Sequence, residues 1–311
     1  MSPFISICIP VYKNAAYLDI LLQSITSQSY CDYEVIISDD SPDDEVRDLC
    51  KKYTDKFSLI YQKNFPTKGS PANWNESIRL AKGQWIKLMH DDDWFADKYC
   101  LGLFAEAAQI NHGAGFIFSG YSNFENGKLK DTHIPGPVIE WKLKNTPLHL
   151  FSENYIGNPS TTLIKNTVLE RYDEKIKWVV DFEHYIRVLN VTSFYMIRKS
   201  LVNVGINEEQ ITQAVFRNKS VEIPENIYML NKMGSQILGN IIVYDYYWRL
   251  FRNLQIRDLT EVEKYAEPNT IPERIKRLLN MQFKIPLQLL RIGVLSKAAM
   301  ALSYSLSTKN N

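Results

Sequence analysis

The 311-residue chain has no run of eighteen uncharged apolar residues, so no membrane-spanning helix is expected. Its N-terminus lacks a basic n-region and a long apolar stretch, so no signal peptide is expected either. Cysteine is scarce. Cys8, Cys31, Cys50 and Cys100 share no CxxC spacing and adjoin no histidine cluster, which excludes a zinc site or a disulfide framework and predicts reduced, mostly structural thiols in a cytoplasmic protein. A charge excess is missing too: 36 Lys+Arg against 35 Asp+Glu leave a net charge of +1, and nothing global points to nucleic acid. Neither G-x-G-x-x-G nor G-x-x-x-x-G-K-[ST] occurs, which argues against a dinucleotide dehydrogenase and a P-loop enzyme. No internal repeat and no low-complexity segment is evident.

What remains is an alternation. Ile5–Pro10, Tyr33–Ser38, Phe57–Tyr61 and the strand from Trp85 are short apolar runs rich in β-branched residues. Between them, Leu18, Leu21, Leu22 and Ile25 repeat at helical spacing, and Val46–Tyr53 and Asn75–Ala81 also read as helices. Continuous apolar strands alternating with helices predict a mostly parallel sheet covered on both faces. Further on, Phe116–Tyr121 reads as a strand, Glu125–Pro137 as a surface hairpin or loop, and Asn158–Ile164 as a turn into a strand. Asp181 reads as the cap of a helix with Phe182, Tyr185, Ile186 and Leu189 on one face. Phe194–Ile197 and Leu201–Val204 read as two short strands, and everything after about Glu222 as helix.

In such a sheet, ligands collect beyond the carboxyl ends of the strands. Polar residues stand at three of those ends: Pro10-Val11-Tyr12-Lys13-Asn14, Asp39-Asp40 and Asp91-Asp92-Asp93. Three adjacent carboxylates repel each other unless a cation neutralises them, so the last group suggests a divalent metal holding a phosphate. A polar turn with Asp93 or Asp97 capping a helix from about Ala96 is the plainer alternative.

The tail is different again. Pro272–Asn311 holds seven basic residues (Arg274, Lys276, Arg277, Lys284, Arg291, Lys297, Lys309) and one acid, Glu273, among many leucines and isoleucines. That composition belongs to an interfacial helix and raises the expectation of contact with an anionic membrane surface.

Several of these runs together resemble the family-2 glycosyltransferases of the GT-A fold. The similar parts are Ile5–Tyr12, Gln28-Ser29-Tyr30, Tyr33–Ser41, Asn73-Trp74-Asn75 and Ala81–Ile86 leading into the acidic run. The resemblance covers roughly residues 4–212. It implies a Rossmann-like GT-A domain, with a nucleotide-sugar-binding half at 1–118 and an acceptor-binding half at 119–220. A helical extension at 221–311 lies outside it.

The resemblance also implies an activity: transfer of a sugar from a nucleotide diphosphate sugar to an acceptor hydroxyl, by metal-assisted single displacement with inversion. Mn2+ or Mg2+ is the implied cofactor. The implied acceptor is a glycan or lipid-linked glycan, in a protein that is cytoplasmic or peripheral on the cytoplasmic membrane face. Pro10, Tyr12, Asp39 and Asp40 match nucleoside-contacting positions, and Asn73 and Asn75 match a polar pair lining the donor cleft. Asp92 matches the metal ligand, and Asp91 a helper at ribose or metal. Asp181 matches the catalytic base, and Asn207 a loop over the donor phosphates that also holds Gln210 and Thr212. His90 stands where the family usually has the first Asp of its metal motif, and Val180 where it has a Glu before the base. Lys13 and Lys68 are solvated lysines within reach of phosphates. Two other classes compete: a sugar-nucleotide-forming nucleotidyltransferase, disfavoured because no glycine-rich loop follows strand one, and a non-catalytic nucleotide-sugar-binding module.

Overall fold

A computed structural model describes residues 2–207, 217–267 and 269–308. Gln210 and Thr212 lie outside the described residues. The chain forms two compact units: residues 1–147 with 155–208, and residues 148–154 with 209–311.

The first unit is built on one nine-stranded sheet. Strand β1 (Ile5–Val11) is buried along its whole length and lies parallel to both β2 (Tyr33–Asp39) and β4 (Trp85–Leu88). Strand β3 (Leu59–Lys63) adds on in parallel beside β2. Each apolar side chain of β1 removed from water contributes about 1.5–3 kcal/mol, enough to fix the strand in the interior of the sheet, between β2 and β4. Helix α1 (Ala15–Thr26) covers the sheet with the stripe read from sequence, Leu18, Leu21, Leu22 and Ile25. Helices α2 (Glu45–Lys51) and α3 (Ala72–Arg79) complete the alternation.

The second half of the sheet is mixed. The remaining strands are β5 (Asp93–Phe95), β6 (Ala114–Glu125), β7 (Lys128–His133), β8 (Thr162–Lys165) and β9 (Ser193–Ile206). Strand β8 joins β4 to β6 and is antiparallel to both, β9 runs parallel to β6, and β5 lies antiparallel on β9. The segment 125–137 is a hairpin: β7 folds back on β6 through Asn126 and Gly127, both at positive φ.

Three local expectations change. The helix placed near Ala96 is α4 (Cys100–Ile110), because Asp93–Phe95 pairs with β9 instead; Asp97 accepts the Tyr99 N–H in the turn ahead of α4. The two short strands around Arg198 are one strand, β9, with register shifts opposite Gly120. Asp181 is not a cap: α6 (Val180–Val191) is capped at Val179, and Asp181 lies within its first turn.

Helix α5 (Pro137–Asn145) also belongs to the first unit. The second unit carries α7 (Lys219–Met233), α8 (Ile241–Asn253), α9 (Leu259–Glu263), α10 (Glu273–Phe283), α11 (Leu287–Leu290) and α12 (Gly293–Thr308). Aromatic residues are prominent in its core, with Tyr244, Tyr247, Trp248 and Phe251 all buried on α8.

Candidate active site

The register of the parallel strands brings their carboxyl ends together. Val11 pairs with Asp39, and the Asp40 N–H donates to the Val11 carbonyl at 2.9 Å. Past β1 the chain turns through Lys13 and Asn14 at φ +65° and +38°, left-handed conformations that cost non-glycine residues about 1–3 kcal/mol each. The Lys13 N–H donates to Ser41 Oγ at 2.7 Å, tying the loop after β1 to the loop after β2. The Tyr12 ring stays exposed, with Lys13 Nζ 5.1 Å from its centroid, and Pro10 is buried at the strand end.

Asp39 and Asp40 have different tasks. Asp39 is fully buried; its Oδ1 accepts from the Ser41 N–H and its Oδ2 from Tyr61 Oη and Lys63 Nζ. Asp40 accepts from the Gly69 N–H at 2.7 Å and the Lys68 N–H at 3.1 Å, and from Asn64 Nδ2 at 2.8 Å. Asn64 is a hub that sequence reading missed. Its amide nitrogen faces Ser38 Oγ, Asp40 Oδ1 and Asn73 Oδ1 at 2.8–3.0 Å, three acceptors for two hydrogens. Asn73 passes the network back to the Val11 carbonyl. Asp40→Ala orphans two loop N–H groups and is expected to lower folding stability by about 3 kcal/mol. A urea-melt midpoint equal to wild type would show that the 66–69 segment is held by other contacts.

Asn75 makes a different connection. Its side chain accepts the Tyr172 N–H and donates to the Tyr172 carbonyl, clamping that backbone onto α3. Neither Asn73 nor Asn75 caps α3.

The acidic run leaves β4 and enters β5 within five residues. His90 Nδ1 or Nε2 and one oxygen each of Asp92 and Asp93 lie within 4.8 Å of one another. Asp93 is buried, accepting from Asn158 Nδ2 at 2.7 Å and from the Gly205 N–H at 3.2 Å. Asp92 Oδ2 accepts from Asn207 Nδ2 at 2.9 Å, so two residues singled out far apart in sequence meet here. Asp91 is outside that cluster of ligand atoms, with its carboxylate at the Tyr12 amide. Burial, and then the charge of Asp92, push the Asp91 carboxyl up to about 8 and that of Asp93 well above its ordinary value. Burial lowers the His90 imidazole, which tilts against Trp74 with ring centroids 4.8 Å apart.

Two groups missed in the sequence hold this run. The His90 N–H donates to Ser160 Oγ at 2.8 Å, and buried Lys87 Nζ donates to the Ser160 carbonyl. Lys87 is pushed down to about 7 by burial and lies between the rings of Phe95 and Phe104. Gly205 is the other. A Cβ there would sit 2.4 Å from the Asp92 carbonyl oxygen, so β9 approaches this closely only with glycine.

The donor set fits a divalent cation. It offers one imidazole and two carboxylates, and His90 Nε2 is buried without a hydrogen-bond partner.

Asp181 stands on a different element. Its Oδ1 is buried without a hydrogen-bond partner, and burial pushes its carboxyl up to about 7. Its charge is felt by the buried phenols of Tyr172 and Tyr185, both raised chiefly by burial and next by Asp181. The Tyr172 ring packs edge-on against Trp74, 5.1 Å between centroids, and Trp74 against His90. A continuous row of rings thus runs from the acidic run toward the lone carboxylate.

The profile of "Glycosyl transferase family 2" matches residues 6–172. The chain belongs to this family. By family it is a glycosyltransferase, and the matched span carries the strand ends and the acidic run just described. An uncharacterized glycosyltransferase of Rickettsia typhi is 24% identical over 218 residues, 68% of this chain and 66% of that protein, so the match spans just under two thirds of that relative. A putative teichuronic acid biosynthesis glycosyltransferase, TuaG of Bacillus subtilis, is 27% identical over 152 residues, 46% of this chain and 58% of that one. Among solved structures, S. aureus TarS 1–349 in complex with UDP-GlcNAc superposes with a TM-score of 0.67 at 17% identity, covering 98% of this chain and 90% of that one. At that identity the likeness shows the fold, and it bears out the GT-A architecture with its helical C-terminal part.

Proposed function

We propose that the chain transfers a sugar from a nucleoside diphosphate sugar to an acceptor hydroxyl, in one displacement that inverts the anomeric centre. The observation that supports this most directly is the buried, unpartnered Oδ1 of Asp181, whose carboxyl is placed near neutrality. A carboxylate in that condition is suited to take the proton of an acceptor hydroxyl as it attacks. The acidic run serves the other end of the reaction. Asp92, with His90 beside it, would hold Mn2+ or Mg2+, which when bound supplies positive charge against the departing diphosphate, while Asp91, outside the cluster of ligand atoms, is left the helper's role at the ribose. Tyr12 offers an exposed ring for the base, and Asp40 and Asn73 shape the nucleoside side with Pro10. Asp39 and Asn75 hold the backbone that presents those groups. Asn207 orients Asp92 beneath the donor phosphates.

In this reading residues 1–118 form the donor half, 119–220 the acceptor half and 221–311 a helical extension. TuaG, named for teichuronic acid biosynthesis, supports a role in polysaccharide assembly; assembly of a cell-surface polysaccharide or glycolipid, a glycan or lipid-linked glycan as acceptor and work at the inner face of a membrane belong to the same proposal. No helix among the described residues is long and apolar enough to cross a membrane. A screen of nucleotide sugars, read by release of nucleoside diphosphate and by proton NMR of the product anomer, tests the proposal. One donor is expected to give an inverted linkage. A product that retains the donor configuration would remove Asp181 from the role of sole base.

A further inference from the structure

Helix α12 is folded inside out. Its buried positions are Ser296, Met300, Ser303 and Ser307, spaced four, three and four residues apart on one face. Leu295, Leu302 and Leu306, seven and four residues apart, form a second stripe that faces outward. Leu302 and Leu306 are 54% and 51% exposed, whereas Ser296 and Ser303 are 1% and 5% exposed.

The serines are inside for a reason. Ser296 Oγ accepts from Trp248 Nε1 and from Arg252 Nη1, both at 3.1 Å, and Ser303 Oγ pairs with Tyr244 Oη at 2.7 Å. These bonds dock α12 on α8 by its polar face and fix its rotation, so the leucines cannot turn inward without orphaning buried donors. Leu289, Ile292 and Val294 are exposed just before the stripe. Single exposed leucines need no explanation, but a row of them on a helix held in this rotation does.

Charge decides what covers it. The 38 residues after Glu273 contain no Asp or Glu, and Lys284, Arg291 and Lys297 are exposed around the apolar row. A symmetric contact with a second copy would set these cations against their own kind, with no carboxylate in the segment to pair them. An anionic lipid surface accepts the leucines and neutralises the cations together.

We infer that Leu289, Ile292, Leu295, Leu302 and Leu306 form a membrane-docking face that seats the second unit in an anionic leaflet. This rests on, and makes specific, the membrane part of the proposed function. It does not depend on the transfer chemistry, because it is read without donor or acceptor.

The test is co-sedimentation of the full chain with phosphatidylcholine vesicles, with and without phosphatidylglycerol, at low and high salt. Wild type is expected to partition onto the anionic vesicles and to be released by salt. The variant Leu295→Ser/Leu302→Ser/Leu306→Ser is expected to lose binding about tenfold or more, and Lys284→Gln/Arg291→Gln/Lys297→Gln about as much on anionic vesicles only. All the altered side chains are exposed, and circular dichroism checks that both variants fold. Turnover on a soluble acceptor should be unchanged in both, which separates failure of this surface from failure of the transfer reading. Equal sedimentation of wild type and the leucine variant overturns the inference. So does a concentration-dependent dimer in sedimentation velocity that the leucine variant dissolves, since the stripe then belongs to a second copy.

Discussion

Asp181→Asn is expected to lower kcat about a thousandfold while leaving donor binding and the fold intact, because asparagine fills the same space and cannot take a proton. The pH profile makes the test specific. With the wild-type carboxyl at about 7, kcat/KM should fall about tenfold for each pH unit below that value and level off above it. In Asp181→Asn the residual rate should lose this inflection. Stability moves the opposite way. The folded-state value lies above the ordinary one of 3.8, so folding favours the protonated form, and that stabilisation is lost as pH rises from about 4 through about 7. Above pH 7 the ionised, unpartnered oxygen weighs against the fold, and Asp181→Asn should be more stable than wild type by a few kcal/mol, with little difference near pH 4. Urea melts at the two pH values measure this. A mutant with near-normal turnover removes Asp181 from the reaction, and one that melts with the wild type at both pH values removes the raised carboxyl.

The second large effect is expected at Asp92. Asp92→Asn keeps an acceptor for Asn207 Nδ2 but removes the charge that the proposed metal needs, and kcat/KM should drop on the order of a thousandfold. In wild type, chelator should reduce activity to that residual level and Mn2+ or Mg2+ should restore it. Calorimetric titration of Mn2+ in the presence of nucleoside diphosphate reads the loss without turnover. Asp93→Asn is the control that discriminates. Both oxygens of Asp93 already accept bonds from Asn158 and Gly205, so this change should affect stability more than metal affinity. If Asp93→Asn abolishes Mn2+ binding and Asp92→Asn does not, the ligand assignment moves by one residue.

Strands β1, β2 and β4 were legible because they are buried along nearly their whole length and read as mostly apolar runs between turn residues, whereas β3 at the sheet edge is only half-buried. Their acidic and polar ends followed from the same reading. The acidic run itself was misjudged in one respect: expected as a loop running into a helix, it becomes strand β5 within the motif. Three residues are too short for any period, and their partner, Val202–Val204, lies more than a hundred residues away. Asn64, Ser160 and Lys87 were invisible for a related reason. An asparagine in a loop, a serine after a proline and a lysine in a strand carry no local signal; their importance comes from what non-local pairing places opposite them. The cap expected at Asp181 failed because the helix starts one residue earlier, which leaves the carboxylate on the first turn with an oxygen that bonds to nothing. The tail showed its composition but not its rotation. Only the pairing of Ser296 and Ser303 with α8 showed that the leucines lie outside.

The nine-stranded sheet has a mechanical consequence. The strands before and after residue 118 belong to a single hydrogen-bonded sheet, so among its described residues the first unit has no hinge about which those two parts could swing. Any clamping on substrate must come from segments outside the ladder. The sheet does have a seam. Strands β4 and β8 share only two paired positions, Trp85 with Lys165 and Ile86 with Ile164. Beyond them the join is continued by side chains, Lys87 to the Ser160 carbonyl and the His90 N–H to Ser160 Oγ, which act as rivets where the ladder ends. Amide hydrogen exchange should therefore open along this line before it opens between β1 and β2. A Ser160→Ala change, which pulls one rivet, should hasten exchange at His90 while leaving Ile7 and Val35 protected.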